Sequence, residues 1–267
     1  MGLYHKSFGS KANPALILLH GWGMSSSIWS TLLPMLTPYF YVTVVDLPGL
    51  GRSSSADAFM TLEAMASSIV SELESSSAEP LAQPTYWLGW SLGGMVALQI
   101  ASQYPEKVHA LMTVASNPCF VQKEDWEHGM NPVMYRQFKA AIESSPEKTL
   151  SRFAMLQIQG GDAAKPILKQ IKAVLAASQP TQLLATLALL ENDLREPLSK
   201  LNCPVLHMYG SEDHLVPNST ITAIQALATA QQQTVSFQGA GHLPFLSSPE
   251  AFLQAILVFI ESIKKYG

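Results

Sequence analysis

A chain of 267 residues, 48% hydrophobic and only 13% charged, can bury a substantial core without disulfides or a structural metal. Its net charge of −4 gives no general case for nucleic-acid binding, and no run approaches the roughly 20 apolar residues of a membrane span. Two cysteines, no His-Glu-x-x-His or Cys/His cluster, and a Met-Gly-Leu-Tyr-His-Lys start without a signal peptide's apolar core predict a cytoplasmic protein with no metal site.

Ala15–His20 (ALILLH) is a short run of strand formers that ends at the turn signal Gly21-Trp22-Gly23. Ser25–Leu36 carries Ile28, Trp29, Leu32, Leu33 and Leu36 on one face, which predicts a helix. Tyr41–Asp46 (YVTVVD) reads as a second buried strand, ended by Leu-Pro-Gly-Leu-Gly. A helix near Thr61–Leu73 follows, then a linker rich in Ser, Ala and Pro up to Pro84. A strand and a helix flank Gly89-Trp90-Ser91-Leu92-Gly93, and Val108–Ala115 supplies the next strand. From about Phe120 to Arg195 only helical periodicity appears. Strands resume at Pro204–Gly210 and Thr234–Gln238, and a last helix covers Ala251–Ile263. Fully apolar strands alternating with amphipathic helices predict an α/β fold whose mostly parallel sheet is covered on both faces. Residues 1–119 and 196–267 form that core, and residues 120–195 an all-helical lid.

A buried strand does not accommodate three glycines and a serine, so the Gly89–Gly94 break marks a tight strand-to-helix turn. The pattern G-x-S-x-G puts the serine in a strained conformation, its hydroxyl clear of the sheet and the following helix dipole aimed at it. Ser91 is therefore the candidate nucleophile, against the plainer reading that it caps the helix. A serine needs a base held by an acid. Asp213, in Gly-Ser-Glu-Asp-His-Leu-Val-Pro, and His242, in Gly-Ala-Gly-His-Leu-Pro-Phe, each follow a late strand in the order Ser, Asp, His. Glu212 and His214 flank that aspartate and read as turn residues. The oxyanion donors are the backbone N–H groups of Leu92 and, from the loop after the first strand, Trp22. His20 reads as a prop for that loop and Asp46 as the anchor of a turn.

With these residues in view, the chain resembles the α/β-hydrolase superfamily over nearly its whole length. That likeness implies the fold of the same name, with the lid inserted after the sixth strand, and no cofactor. More narrowly, Leu18-Leu-His-Gly-Trp-Gly-Met24, Trp87-Leu-Gly-Trp-Ser-Leu-Gly-Gly94 and Thr113-Val-Ala-Ser-Asn-Pro-Cys-Phe120 look like the pimeloyl-[acyl-carrier protein] methyl ester esterases of biotin synthesis. This resemblance implies a serine carboxylesterase that acts on a methylated pimeloyl chain borne by acyl carrier protein. It also implies a substrate channel built with Arg152-Phe-Ala-Met-Leu-Gln157, so that Phe153, Ala154, Met155, Leu156 and Gln157 join Trp22, Ser91, Leu92 and His242 at the substrate.

Residue chemistry bears on that implication. Phe153, Met155, Leu156, Ile158, Met134 and Phe138 supply apolar surface for an acyl chain or for the lid's own core, and Gln157 bonds either a substrate carbonyl or solvent. Between Arg136 and Lys172 seven cations face three carboxylates, a local +4 in a chain of net −4. Lys165, Lys169 and Lys172 recur at i, i+4, i+7 and share a helix face. Together with Lys148 and Arg152 they make either a solvated surface or a docking face for an acidic, phosphate-bearing carrier. No nucleic-acid or membrane partner is expected, and the chain is expected to be a monomer. The rival readings are a general short-chain carboxylesterase or carbon–carbon bond hydrolase on the same scaffold, and a non-catalytic receptor. The complete triad argues against the receptor.

Overall fold

The computed structural model describes residues 2–53, 61–76, 81, 85–161, 164–178, 180–227 and 231–264. Most of the expected Ser/Ala/Pro linker, 77–80 and 82–84, lies outside the described residues. In chain order the described elements begin with β1 (His5–Phe8), β2 (Ala15–Leu19), α1 (Leu33–Leu36), β3 (Tyr41–Val45), α2 (Leu62–Ser75), β4 (Thr85–Trp90), α3 (Leu92–Gln103) and β5 (Val108–Val114). They continue with α4 (Pro132–Ser144), α5 (Pro146–Ile158), α6 (Ala164–Ala177), α7 (Leu183–Ala188), α8 (Arg195–Ser199), β6 (Val205–Gly210), α9 (Ser219–Leu227), β7 (Gln232–Phe237), α10 (Pro244–Ser247) and α11 (Pro249–Lys264).

The strands form a seven-stranded sheet in the order β1-β3-β2-β4-β5-β6-β7. All neighbours are parallel except β1, which runs antiparallel to β3 at the edge. Side chains alternate between faces with period two. Ile17, Leu19, Trp87, Leu111 and Val205 pack with α2 and α3 in one core. Leu16, Leu18, Leu88, Met112 and Leu206 pack with α11 in the other. Both faces are dry, as the continuous apolar runs predict. β1 escaped the sequence reading because an edge strand of sequence HKSF is only half buried and carries no apolar run.

Two expectations are corrected. Ser25–Leu36 is not one helix: a 3-10 turn at Ser26–Trp29 is followed by the separate α1. Pro34 explains the break, because mid-helix it would lack a donor and clash with the preceding turn, whereas α1 holds it in its first turn. The helical segment between the two halves of the sheet follows the fifth described strand rather than the sixth, because a single strand, β1, precedes β2 and makes the whole antiparallel edge. That segment also begins without helix. Residues 120–130 are held by isolated bridges, Val121 to Met130 and Lys123 to Trp126, before α4 starts at Pro132.

Candidate active site

The turn between β4 and α3 is dictated by its glycines. A Cβ on Gly89 would stand 2.1 Å from the Gly93 carbonyl oxygen, and one on Gly93 would stand 2.4 Å from that of Leu19. Only hydrogen fits at either position, so the first turn of α3 presses directly on the strands. Ser91 sits at the vertex with φ 54° and ψ −119°, a region that residues with a Cβ rarely occupy. Three bonds hold it there: its N–H donates to the Val114 carbonyl (2.8 Å), and its carbonyl accepts from Gly94 N–H (2.9 Å) and the Ser116 hydroxyl (2.8 Å). Ser116 is buried, and sequence reasoning gave it no role although it lies in the Thr113–Phe120 run. The residue before it, Ala115, also has a positive φ, 45°. That local strain has no signature in the sequence.

The loop after β2 lies against this vertex. A Cβ on Gly21 would approach Ser91 Cβ to 3.2 Å, so Trp22 borders the serine. Among the described residues neither Trp22 N–H nor Leu92 N–H is given to a protein acceptor. His20 props the loop as a neutral ring: Nδ1–H donates to the Gly21 carbonyl (2.8 Å) and Nε2 accepts from Leu47 N–H (2.9 Å). Complete burial holds its pKa below the ordinary histidine value, in spite of Asp46 nearby. Asp46 anchors the next turn, accepting from Ser26 N–H (2.6 Å) and Arg52 N–H (2.8 Å). Burial would raise its pKa, but these bonds and the adjacent cations outweigh it and hold the carboxyl below the usual range.

The structure brings Asp213 and His242 together. Asp213 Oδ2 accepts from His242 Nδ1 at 2.8 Å, while its Oδ1 accepts from Leu215 and Val216 N–H at 2.8 and 3.1 Å. The imidazole is tied to the serine turn as well, because Trp90, the neighbour of Ser91, donates its indole N–H to the His242 carbonyl (2.9 Å). His242 Nε2 is buried and has no partner, so the ring is not hydrogen-bonded to Ser91 here. Such links often form only with substrate bound. Glu212 and His214 are exposed, and Glu212 accepts from the Ser211 hydroxyl (3.0 Å).

The helical segment closes over this arrangement. Trp22 is 2% exposed, with Phe138 and Phe153 edge-on at 5.4 and 5.2 Å, and its indole N–H donates to the Leu183 carbonyl at 3.0 Å. The Gln157 carbonyl accepts from His242 N–H (3.1 Å), and Ala154 is fully buried. Gln157 is 1% exposed and neither polar atom of its amide has a partner, which excludes the solvated reading. Met155 and Leu156 are a correction: they are 50% and 41% exposed, and Met134 is 63% exposed. Five consecutive helical residues cannot all face one cavity, and at 100° per residue the middle of the run turns outward. Lys148, Arg152, Lys165, Lys169 and Lys172 are all exposed, and none has a carboxylate within ion-pair distance among the described residues. Lys107, Lys123, Lys139, Arg195 and Lys200 do have one. Among the described residues no helix is long and apolar enough to cross a membrane.

Comparison with known proteins agrees with this geometry. The family profile for the alpha/beta hydrolase fold matches residues 14–249. The pimeloyl-[acyl-carrier protein] methyl ester esterase of Klebsiella pneumoniae subsp. pneumoniae is 39% identical over 246 residues, 91% of each chain. That of Pectobacterium carotovorum subsp. carotovorum is 36% identical over 265 residues, 97% of this chain and 99% of its own. The chain belongs to this esterase family. Solved structures share the same fold: a hydrolase from Pseudomonas aeruginosa superposes with a TM-score of 0.81 at 25% identity, covering 97% of this chain and 94% of its own. An esterase from Exiguobacterium antarcticum superposes with a TM-score of 0.85 at 21% identity, covering 97% and 95%. Esterases on one scaffold thus differ in the segment above the sheet and in what it admits.

Proposed function

We propose that this protein hydrolyses the methyl ester at the far end of a pimeloyl chain carried on acyl carrier protein, releasing methanol and the free carboxylate. The observation that carries the chemistry is the setting of His242. Asp213 holds one ring nitrogen, Trp90 ties its backbone beside Ser91, and the other ring nitrogen is buried and unpartnered. Ser91 attacks the ester carbonyl while His242 takes its proton, and Asp213 fixes the tautomer and offsets the imidazolium charge. The Trp22 and Leu92 amides receive the oxyanion, each contributing about 3 kcal/mol by analogy with single-donor deletions. Methanol leaves with the proton from His242, and water cleaves the acyl-enzyme by the reverse proton path.

The substrate assignment rests on family membership and on the lid, residues 120–195. Phe153, Ala154 and Gln157 face inward toward Trp22 and His242, and we assign them to the acyl chain, with the Gln157 amide free for a substrate carbonyl. The unpaired cations Lys148, Arg152, Lys165, Lys169 and Lys172 suit an acidic carrier with a phosphate on its prosthetic arm. The deciding experiment compares pimeloyl-carrier methyl ester with a short free methyl ester, using wild type, Ser91→Ala and a Lys165/Lys169/Lys172→Glu triple variant. Strong preference for the carrier ester, lost with the lid charges, and an inactive Ser91→Ala support the assignment. Equal turnover of the free ester, indifferent to the lid charges, reassigns the protein as a general carboxylesterase.

A further inference from the structure

The reaction just proposed has an unusual topology, and the following rests on that reading. The ester lies at the end of the chain remote from the carrier, so methanol is the leaving group and the carrier stays attached throughout. After the first step the carrier is covalently joined to Ser91 through the acyl chain. The mouth by which the chain entered remains filled until water has cleaved that bond. Methanol must leave and water must arrive by another way.

The lid has two openings, at opposite ends of the α5–α6 pair. One groove, of about 800 Å³, lies at the turn between the helices and is lined by Arg152, Met155, Leu156 and Ala164. It adjoins the unpaired cations assigned to the carrier. The second, of about 640 Å³, lies where α5 starts and α6 ends, and its lining includes Leu150, Ser151, Lys172, Ala176, Ser178 and Leu183. Two of these residues touch the oxyanion loop. Leu150 Cδ2 stands 2.9 Å from where a Cβ on Gly23 would lie, and the Leu183 carbonyl accepts the Trp22 indole N–H at 3.0 Å. The groove therefore backs onto the loop beside Ser91. Its lining is amphipathic, and the Ser178 hydroxyl is shielded from solvent without a hydrogen-bond partner, a waiting contact for a small hydroxylic molecule.

We propose that the groove between the start of α5 and the end of α6 is a side passage by which methanol leaves and the hydrolytic water enters while the carrier fills the other mouth. The chemistry balances in two steps. Ser91 Oγ bonds to the ester carbon as the C–OCH₃ bond breaks, and methanol departs with the serine's proton through His242. Water then bonds to the same carbon as the Ser91 ester breaks, and its proton returns to Ser91.

Ser151 and Ala176 line this groove from exposed positions, so tryptophan at either fills it without disturbing the core. Ser151→Trp and Ala176→Trp are expected to lower kcat for the carrier-bound methyl ester by about tenfold, since product release and water entry become limiting. The same methyl ester free of the carrier leaves the main mouth open, so its kcat is expected to stay within about twofold of wild type. That second substrate also shows that the variants are folded. Acid quenching followed by intact mass analysis should reveal more covalent enzyme–carrier adduct in the tryptophan variants than in wild type. Equal slowing of both substrates, or no slowing of either, overturns the passage while leaving the esterase assignment standing. Wild type that cleaves only the free ester overturns both.

Discussion

Replacing Ser91 with glycine and, separately, with alanine removes the same hydroxyl but treats the backbone differently. At φ 54° and ψ −119° the serine Cβ is held where side chains are rarely found, and strain of this kind costs about 1–3 kcal/mol. Alanine keeps the Cβ and the strain. Glycine relieves it but gives the unfolded chain extra freedom, a loss of about 0.4–1 kcal/mol. Ser91→Gly is therefore expected to be more stable than Ser91→Ala by about 1 kcal/mol, and both should lose roughly a thousandfold or more in kcat. For a chain of this size the difference appears as about 2 °C or more in Tm, measured by thermal scans of both variants in one buffer. Glycine no more stable than alanine would refute the view that the turn is strained to present the hydroxyl. Wild-type esterase activity in either variant would remove Ser91 from the mechanism.

Three further outcomes follow from buried groups. His207 accepts from the Thr113 hydroxyl at Nδ1 (2.7 Å) and faces Gln232 Oε1 through Nε2 (3.3 Å), and burial lowers its pKa to about 4. An unfolded histidine binds its proton near 6.5, so as pH falls from there to about 4 the unfolded state takes up more protons and up to about 3 kcal/mol of stability is lost. Urea titrations from pH 7 to pH 4.5 should show this loss in wild type and a shallower one in His207→Gln. Trp22→Phe deletes the indole bond to Leu183, worth about 1 kcal/mol, and is expected to lower kcat/KM about fivefold if that bond positions the oxyanion loop; unchanged kinetics would detach the lid from the loop. Gln157→Leu should raise stability by about 1 kcal/mol, since it removes two unsatisfied buried atoms, while raising KM. Met155→Ser, on the outer face, should change stability by less than about 0.5 kcal/mol, and chemical denaturation with steady-state kinetics separates the two.

The core was legible because its constraints are local and repeated. β2, β3, β4 and β6 are apolar runs that must be covered on both faces, and the turn at Ser91 is written in glycines whose replacement would collide with backbone. Asp213 and His242 could be placed because each follows a strand end, so chain order fixes which edge of the sheet they reach. The lid was less legible for a physical reason. A run such as Phe153–Gln157 shows which residues are apolar but not the phase of the helix, and so Met155 and Leu156 were grouped with residues that face the opposite way. Contacts such as Trp22 to Leu183, 161 positions apart, depend on packing that no local pattern records. Ser116 was missed because a serine after a strand has too many ordinary uses to be singled out.

The same distinction bears on how the site works. The nucleophile turn and the Asp213–His242 pair are fixed by the sheet, yet each has one bond to the lid or to a loop the lid touches. His242 N–H donates to the Gln157 carbonyl, and Trp22 donates to that of Leu183. A third tie lies in the Asp46 turn, whose Gly49 carbonyl accepts from the N–H groups of Thr181 and Gln182 at 3.1 Å. The residues just before α7 thus fasten the lid both to the turn that Asp46 organises and to the oxyanion loop that His20 props. Lifting the lid breaks these bonds together, and it frees the base and the oxyanion loop at the same moment. The lid is on this view part of the catalytic geometry as well as a filter. Substitutions at 181–183 should change kcat even for a substrate small enough to need no channel, whereas reversing the lid lysines should not.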